Sequence, residues 1–311
     1  MPPPRVQSNP RPIAVPGPRD LPDRAPSPSP GLAEGVAPAR DGFDVSRATK
    51  LELTKDRQFS PQDIAAIKRR DPALGQAIEN AQKSFKSLLD KGAKISVTAS
   101  AGNGGKPVLT FVPPALVNNP GLPHDLQVHY HGMHGLASAP NGESPLRERI
   151  ADSFNQTPPT VFVLPEWNGT NDWSNVKNTG TTADDAVKGL GLTGKRGQLT
   201  VSAHSLGRNA VFSAIKNGGL KADRLDMQDA FYKGQSDGPR TVAQWLKDRA
   251  GDTPPPQLRI LVTTNGRMSD KKSIQDEARQ HGLTLPDAVF VDQSGQRFSR
   301  DAHWEADLKR W

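Results

Sequence analysis

The residues with the clearest capacity for chemistry form the stretch Ala203-His204-Ser205-Leu206-Gly207. A serine hydroxyl attacks a carbonyl carbon when a neighbouring base removes its proton. Small residues two positions before and two positions after the serine, here Ala203 and Gly207, suit a backbone that doubles back between a strand and a helix. The pattern therefore predicts a nucleophile elbow with Ser205 as the nucleophile. The alternative is that Ser205 only caps the following helix, since serine is a favoured N-cap residue.

A second group of reactive side chains is the H-x-H-x-x-H pattern of His129, His131 and His134. It is similar to the metal loop of metallo-β-lactamase-like hydrolases, which reads H-x-H-x-D-H. Met133 stands where that loop has its aspartate, and a thioether is a poor ligand for a hard, water-activating metal. No second ligand cluster of matching spacing follows. We therefore expect no metal and no other cofactor, and a metal-dependent hydrolase using the three histidines remains an alternative.

The elements that must position Ser205 alternate between strands and helices. Residues 198–203 read as a strand and 208–216 as a helix, because the apolar spacing changes from two to between three and four. Residues 94–100 and 107–112 flank a glycine-rich turn and predict a hairpin. Further strands are predicted at 125–130, 160–164, 223–231, 258–263 and 288–291, and helices at 145–154, 182–190, 241–249 and 270–281. The fold class is α/β, with a mostly parallel central sheet, an antiparallel N-terminal hairpin and helices on both faces.

The chain before the hairpin divides into two parts. Residues 1–45 are rich in proline and serine and nearly lack large apolar side chains, which predicts a disordered tail. A plain linker, a ligand for a protein partner and an export segment are its candidate roles. Residues 46–93 predict a helical extension of two or three helices, and 94–311 the catalytic domain. Residues 113–123 are predicted to be a loop.

Composition excludes several classes of protein. The 311 residues carry 40 Lys and Arg against 33 Asp and Glu, and this excess is scattered, so no nucleic-acid partner is expected. The absence of cysteine excludes disulfides, thiolate metal sites and a cysteine nucleophile. No apolar stretch is long enough for a transmembrane segment, and no signal-peptide pattern opens the chain. We expect a cytoplasmic protein, or one exported by a route without a cleaved signal peptide.

The order of these elements, with the serine elbow after the middle strand, resembles the α/β-hydrolase fold over roughly residues 94–311. The motifs that carry the resemblance are the elbow, the His131-Gly132 turn after the third strand, and a histidine near the C-terminus. The resemblance implies a serine hydrolase that cleaves a carboxylic ester through an acyl-serine intermediate, with an amide as the second choice of substrate. A binding module that keeps the fold without catalysis is the other alternative.

The resemblance also implies partners for Ser205. His303 lies after the last predicted strand, where the family keeps its base. The acid is predicted to be Asp229, at the end of the strand after the nucleophile helix, with Asp270 as the alternative. Asp229 would orient His303, which would act first as base and then as acid.

The resemblance further implies an oxyanion hole beside the serine. One donor is the backbone N–H of Leu206, and the other comes from the loop after the third strand, where Gly132 and Met133 are the candidates. The loop after the fourth strand contributes two tryptophans, which either line a substrate cleft or cover the sheet edge. The residues predicted to line a cleft for a small ester or acyl substrate are His131, His204, Trp167 and Trp173.

Overall fold

The computed structural model describes residues 50–132, 145–165, 173, 176–234, 237–264 and 269–297. All of them belong to one compact unit, Asp44–Trp311. The tail predicted at 1–45 therefore lies outside the described residues. Within the described ranges, no helix is both long enough and apolar enough to cross a membrane.

A nine-stranded sheet forms the centre of the described chain. Its spatial order is β1-β2-β3-β5-β4-β6-β7-β8-β9. The first three pairings, β1 with β2, β2 with β3 and β3 with β5, are antiparallel, and the remaining five are parallel. The strands are β1 (Lys50–Leu53), β2 (Lys94–Ser100), β3 (Lys106–Val112), β4 (His124–Tyr130), β5 (Thr160–Pro165), β6 (Arg196–His204), β7 (Arg224–Gln228), β8 (Gln257–Thr264) and β9 (Phe290–Arg297).

Helices cover both faces of this sheet. Alternate residues of β5 belong to different apolar cores, Val161 and Val163 to one and Phe162 and Leu164 to the other. Because successive strand residues point to opposite faces, this alternation places one core on each side of the sheet. The predicted α/β fold class, a mostly parallel sheet with an antiparallel N-terminal part and helices on both faces, is confirmed. The helices are α1 (Pro61–Arg70), α2 (Pro72–Ser84), α3 (Lys86–Asp90), α4 (Pro114–Asn118), α5 (Pro145–Phe154), α6 (Thr179–Val187), α7 (Arg208–Lys216), α8 (Asp237–Asp248) and α9 (Lys271–Gln280).

Two short elements were missing from the sequence prediction. Strand β1 lies inside the segment expected to be wholly helical, where Leu51 and Leu53 point into the core and pair with β2. Four residues of alternation are too few to separate a strand from a helical pattern. Helix α4 lies inside the segment expected to be a loop; Pro114 opens it and Leu116 is its buried residue, a stretch too short for a helical period.

Parallel pairing brings the ends of three strands to one edge of the sheet. Tyr130 is paired with Ala203 across β4 and β6, and His204 is paired with Gln228 across β6 and β7. The residues that directly follow these strands therefore lie side by side along the same edge of the sheet. This carboxyl edge holds the loop after β4, the turn at Ser205 and the turn at Asp229.

Candidate active site

Ser205 occupies a strained turn between a strand and a helix. Strand β6 ends at His204, residues Ser205–Gly207 form one turn of 3-10 helix, and α7 begins at Arg208. The φ angle of Ser205 is +52°, a region in which an L-residue with a Cβ is disfavoured by about 1–2 kcal/mol. Such strain persists where the surrounding structure enforces it, and it concentrates at functional sites.

Two glycines allow the chain to pass close to this turn. A Cβ at Gly207 would lie 2.0 Å from the carbonyl oxygen of Tyr130, so only glycine fits against the end of β4. A Cβ at Gly132 would lie 3.0 Å from the Cβ of Ser205 and 3.2 Å from Nδ1 of His204. The loop after β4 therefore runs directly alongside the serine.

The backbone around Ser205 offers hydrogen-bond donors. Leu206 follows the serine within the turn that leads into α7, and N–H groups at the start of a helix have no partner from the preceding turn of that helix. Gly132 stands in the opposing loop, close enough that an added Cβ would lie 3.0 Å from the serine Cβ. Met133, the other predicted donor, lies outside the described residues.

Asp229 lies at the same edge, one strand further along. It directly follows β7, its side chain is buried, and its φ angle is +42°. Its backbone N–H donates to the carbonyl oxygen of Leu261 in β8, at 3.1 Å. Since His204 and Gln228 are paired, Ser205 and Asp229 leave neighbouring parallel strands at matching positions.

The alternative acid, Asp270, serves a different purpose in this fold. It is the exposed N-cap residue of α9, and its carboxylate accepts from the N–H of Ser273 at 2.7 Å. That hydrogen bond lowers the pKa of Asp270 below its usual value. A carboxylate used as a helix cap is an ordinary structural feature. The predicted base, His303, lies outside the described residues.

The described histidines of the H-x-H-x-x-H pattern each have a local partner. Nδ1 of His129 lies 2.8 Å from Oγ of Ser202, and Nδ1–H of His131 donates to the carbonyl oxygen of Gly132 at 2.9 Å. Burial lowers the pKa of His129 well below its usual range, and burial lowers that of His131 to about 4. Among the described residues no group of three His, Asp or Glu side chains is placed to hold a metal; His134 is not among them.

Trp173 packs beneath the loop after β4. Its ring makes edge-to-face contacts with Tyr130 and with His131, each with ring centroids 5.4 Å apart. The side chain is 2% exposed and belongs to the apolar core. This placement supports the loop from below, and it fits the covering role better than the cleft role. Trp167 lies outside the described residues.

Two residues near the serine were missed by the sequence prediction. The hydroxyl of Tyr232 lies 2.6 Å from Oγ of Ser205, and the guanidinium carbon of Arg208 lies 4.0 Å from the centre of the Tyr232 ring. Burial lowers the pKa of Arg208. Arg208 stands three residues after the serine, a spacing that places side chains on one helix face. Tyr232 follows Asp229 by three residues. Its position shortly after the end of β7 was the one sequence signal that it could lie near Ser205.

A polar cavity of about 360 Å³ lies at the opposite, amino edge of the sheet. Its lining includes Asp125, Thr160, Gln198 and Arg224, which lie at the beginnings of four parallel strands, together with Arg149 of α5. The strand directions place it at the far end of the sheet from Ser205.

Comparisons with known proteins found similar chains among solved structures. No protein-family model matches the chain, and no curated protein sequence matches it significantly. A solved ferulic acid esterase is similar with a TM-score of 0.48 and 13% identity, over 70% of this chain and 95% of its own. S-formylglutathione hydrolases from Agrobacterium tumefaciens and Staphylococcus aureus have TM-scores of 0.43, with 12% and 15% identity, over 70% and 69% of this chain and 93% and 92% of theirs. At such identities the function has to be argued from the residues of this chain.

Proposed function

We propose that the protein is a serine hydrolase that cleaves carboxylic esters through an acyl intermediate on Ser205. The observation that carries the proposal is the positive φ of Ser205 at the junction of β6 and α7, with Gly132 packed against it. A serine that merely capped α7 would have no need of strained backbone, because an N-cap residue adopts extended angles without strain.

The acylation step uses three groups. The Ser205 oxygen attacks the ester carbonyl carbon while its proton passes to His303, which Asp229 holds in orientation. The carbonyl π bond opens, and its electron pair makes the oxyanion. When the intermediate collapses, the C–O bond to the alcohol breaks and the protonated His303 gives its proton to the leaving oxygen. Water then repeats the sequence on the acyl-serine and releases the acid.

The oxyanion needs donors that are already in place. The backbone N–H groups of Leu206 and of Gly132 or Met133 are assigned this role, because Leu206 follows the serine in the 3-10 turn and Gly132 lies close to the serine in the loop after β4. Removal of one such donor typically costs about 3 kcal/mol of transition-state stabilisation. The proposed substrates are small esters.

Hydrolysis of aryl acetates tests the proposal. The wild-type protein should release p-nitrophenol from p-nitrophenyl acetate, and Ser205→Ala should lose at least about 10³-fold in kcat/KM. Ser202→Ala, three residues earlier in the chain and within β6, is the control for loss of a serine hydroxyl. Equal rates for wild type and Ser205→Ala would exclude the acyl-serine mechanism.

A further inference from the structure

The nucleophilic oxygen has a partner that the proposed triad leaves unexplained. The phenol oxygen of Tyr232 lies 2.6 Å from Oγ of Ser205, at the short end of the range for O–H···O hydrogen bonds. Tyr232 comes from the segment after β7, so it reaches the serine from the neighbouring strand. The contact is thus a long-range one, held in place by the fold and not by the elbow itself.

Arg208 holds the tyrosine ring in this position. Its guanidinium carbon stands 4.0 Å from the ring centre, and such a cation–π contact contributes about 0.5–2 kcal/mol depending on its desolvation. Because Arg208 begins α7 directly after the Ser205 turn, nucleophile, cation and ring form one connected group. The phenol oxygen is directed at Oγ by contacts that leave its own proton available.

The path of the serine proton in acyl transfer decides which of the two oxygens donates the hydrogen bond. Ser205 has a single hydroxyl proton, and attack on an ester requires that this proton go to the base. If the serine donated to Tyr232, its single proton would be engaged by the phenol oxygen and not by the base. A phenol that donates to Oγ leaves the serine proton directed to the base.

We infer that Tyr232 is a further catalytic residue, which donates a hydrogen bond to Oγ of Ser205 as that oxygen leaves the acyl group. The inference rests on the proposed function. In deacylation, water attacks the acyl carbon and gives one proton to the base. The C–Oγ bond then breaks, its electron pair stays on Oγ, and the protonated base returns the proton to Oγ. Tyr232 stabilises the negative charge that develops there and keeps its own proton throughout.

The two half-reactions should respond differently to loss of this bond. A hydrogen bond to Oγ withdraws electron density from the attacking lone pair, so it gives little help in acylation. In deacylation the same bond acts on a leaving oxygen, where charge grows towards the transition state. Tyr232→Phe keeps the ring and its contact with Arg208 and removes only the hydroxyl.

The lifetime of the acetyl-enzyme is the test. Wild type, Tyr232→Phe and Tyr130→Phe are acetylated with p-nitrophenyl acetate, freed of excess ester, and followed by intact mass over time. Tyr130 is the only other tyrosine of the chain, and its ring lies in the apolar core. We expect the acetyl-enzyme of Tyr232→Phe to live on the order of 10- to 100-fold longer, with an acylation rate near that of wild type. Tyr130→Phe should match the wild-type lifetime.

Several results would overturn the inference. Equal lifetimes in wild type and Tyr232→Phe would do so, as would slower acylation with unchanged deacylation, which would make Tyr232 an acceptor. Arg208→Lys provides a second variant should Tyr232→Phe fail to fold; its lifetime should lengthen in the same direction by a smaller factor. If wild type forms no acetyl adduct on Ser205 at all, the proposed function itself is wrong, which is a different outcome.

Discussion

Polar residues lie at both edges of the parallel sheet, but their hydrogen bonds and backbone angles differ. At the amino edge, Asp125 accepts from the N–H of Gln198 and Asp223 accepts from the N–H of Leu199, each at 2.7 Å. The 360 Å³ cavity lies at this edge. The carboxylates of Asp125 and Asp223 connect the beginnings of neighbouring strands, so both are occupied in holding the sheet together.

At the carboxyl edge the same sheet holds strained backbone. Ser205 and Asp229 are the non-glycine residues with positive φ in the described part of the chain. Both directly follow adjacent strands, and the serine contacts Tyr232. Under the proposed function, strained backbone beside a reactive side chain marks the site, whereas the polar cavity does not.

The largest difference in activity is expected when a carboxylate is exchanged for an amide at each edge. Asp229→Asn should lower kcat/KM for p-nitrophenyl acetate on the order of 10⁴-fold, because a neutral amide no longer stabilises the protonated base. Asp125→Asn is the matched variant, since its amide oxygen can still accept from Gln198. It should keep wild-type activity. Similar losses in both variants would show that the edges do not differ.

A methyl group added at each edge gives the next largest effect. Gly132→Ala places a Cβ 3.0 Å from that of Ser205, which should shift the oxyanion donors and lower kcat on the order of 10²-fold. Gly197→Ala places a Cβ 2.2 Å from the carboxylate of Asp125 and should lower the free energy of unfolding with kcat preserved. Steady-state kinetics and urea unfolding separate the two outcomes, and a Gly132→Ala enzyme with full kcat would contradict the donor assignment.

The loop after β4 should make stability depend on acidity. His131 is buried with a pKa of about 4, below its value in the unfolded chain, so the unfolded state binds more protons between about pH 6.5 and pH 4. The free energy of unfolding should therefore fall through that window as pH falls, by up to about 3 kcal/mol from this residue.

The measurement is urea unfolding at pH 7 and pH 4.5 in wild type and His131→Asn, whose amide can still donate to Gly132. The variant should lose less stability between the two pH values. An equal loss would mean that His131 is not buried in its neutral form.

The smallest expected effect concerns the strain at the serine. Ser205→Gly should have a free energy of unfolding about 1 kcal/mol higher than that of Ser205→Ala, because both variants lose the hydroxyl that contacts Tyr232 and glycine adopts positive φ without strain. Ser213→Gly, inside α7, should be less stable than Ser213→Ala by about 0.5–1 kcal/mol. Thermal unfolding of the four variants checks the signs, and a Ser205→Gly no more stable than Ser205→Ala would mean that the turn stores no strain.

Local patterns made much of the junction between β6 and α7 predictable. Helices α5 and α7 begin and end at the residues the sequence predicted, Pro145–Phe154 and Arg208–Lys216, because proline, glycine and apolar spacing act within a few residues. The need for a small residue at Gly207 was predictable for the same reason, since the sharp turn at Ser205 lies only two positions earlier.

Contacts between distant segments were not predictable from spacing. Tyr232 meets Ser205 across 27 positions, and no periodicity records that approach. The positive φ of Asp229 was likewise not predicted, because aspartate adopts such angles more often than most residues but still too rarely to mark one position in a sequence. The position of Asp270 directly before α9 was enough to predict that it caps that helix. It nevertheless remained the alternative catalytic acid in the sequence prediction, because it is a carboxylate in the right part of the chain.

Covalent labelling of the serine tests the central claim most directly. The folded wild-type protein is treated with a fluorophosphonate, digested, and mapped by mass spectrometry, with Ser205→Ala treated in parallel. We expect one adduct, on the peptide that contains Ser205, together with loss of ester hydrolysis in proportion to labelling, and no adduct in Ser205→Ala. A protein that hydrolyses esters while Ser205 stays unlabelled would contradict it.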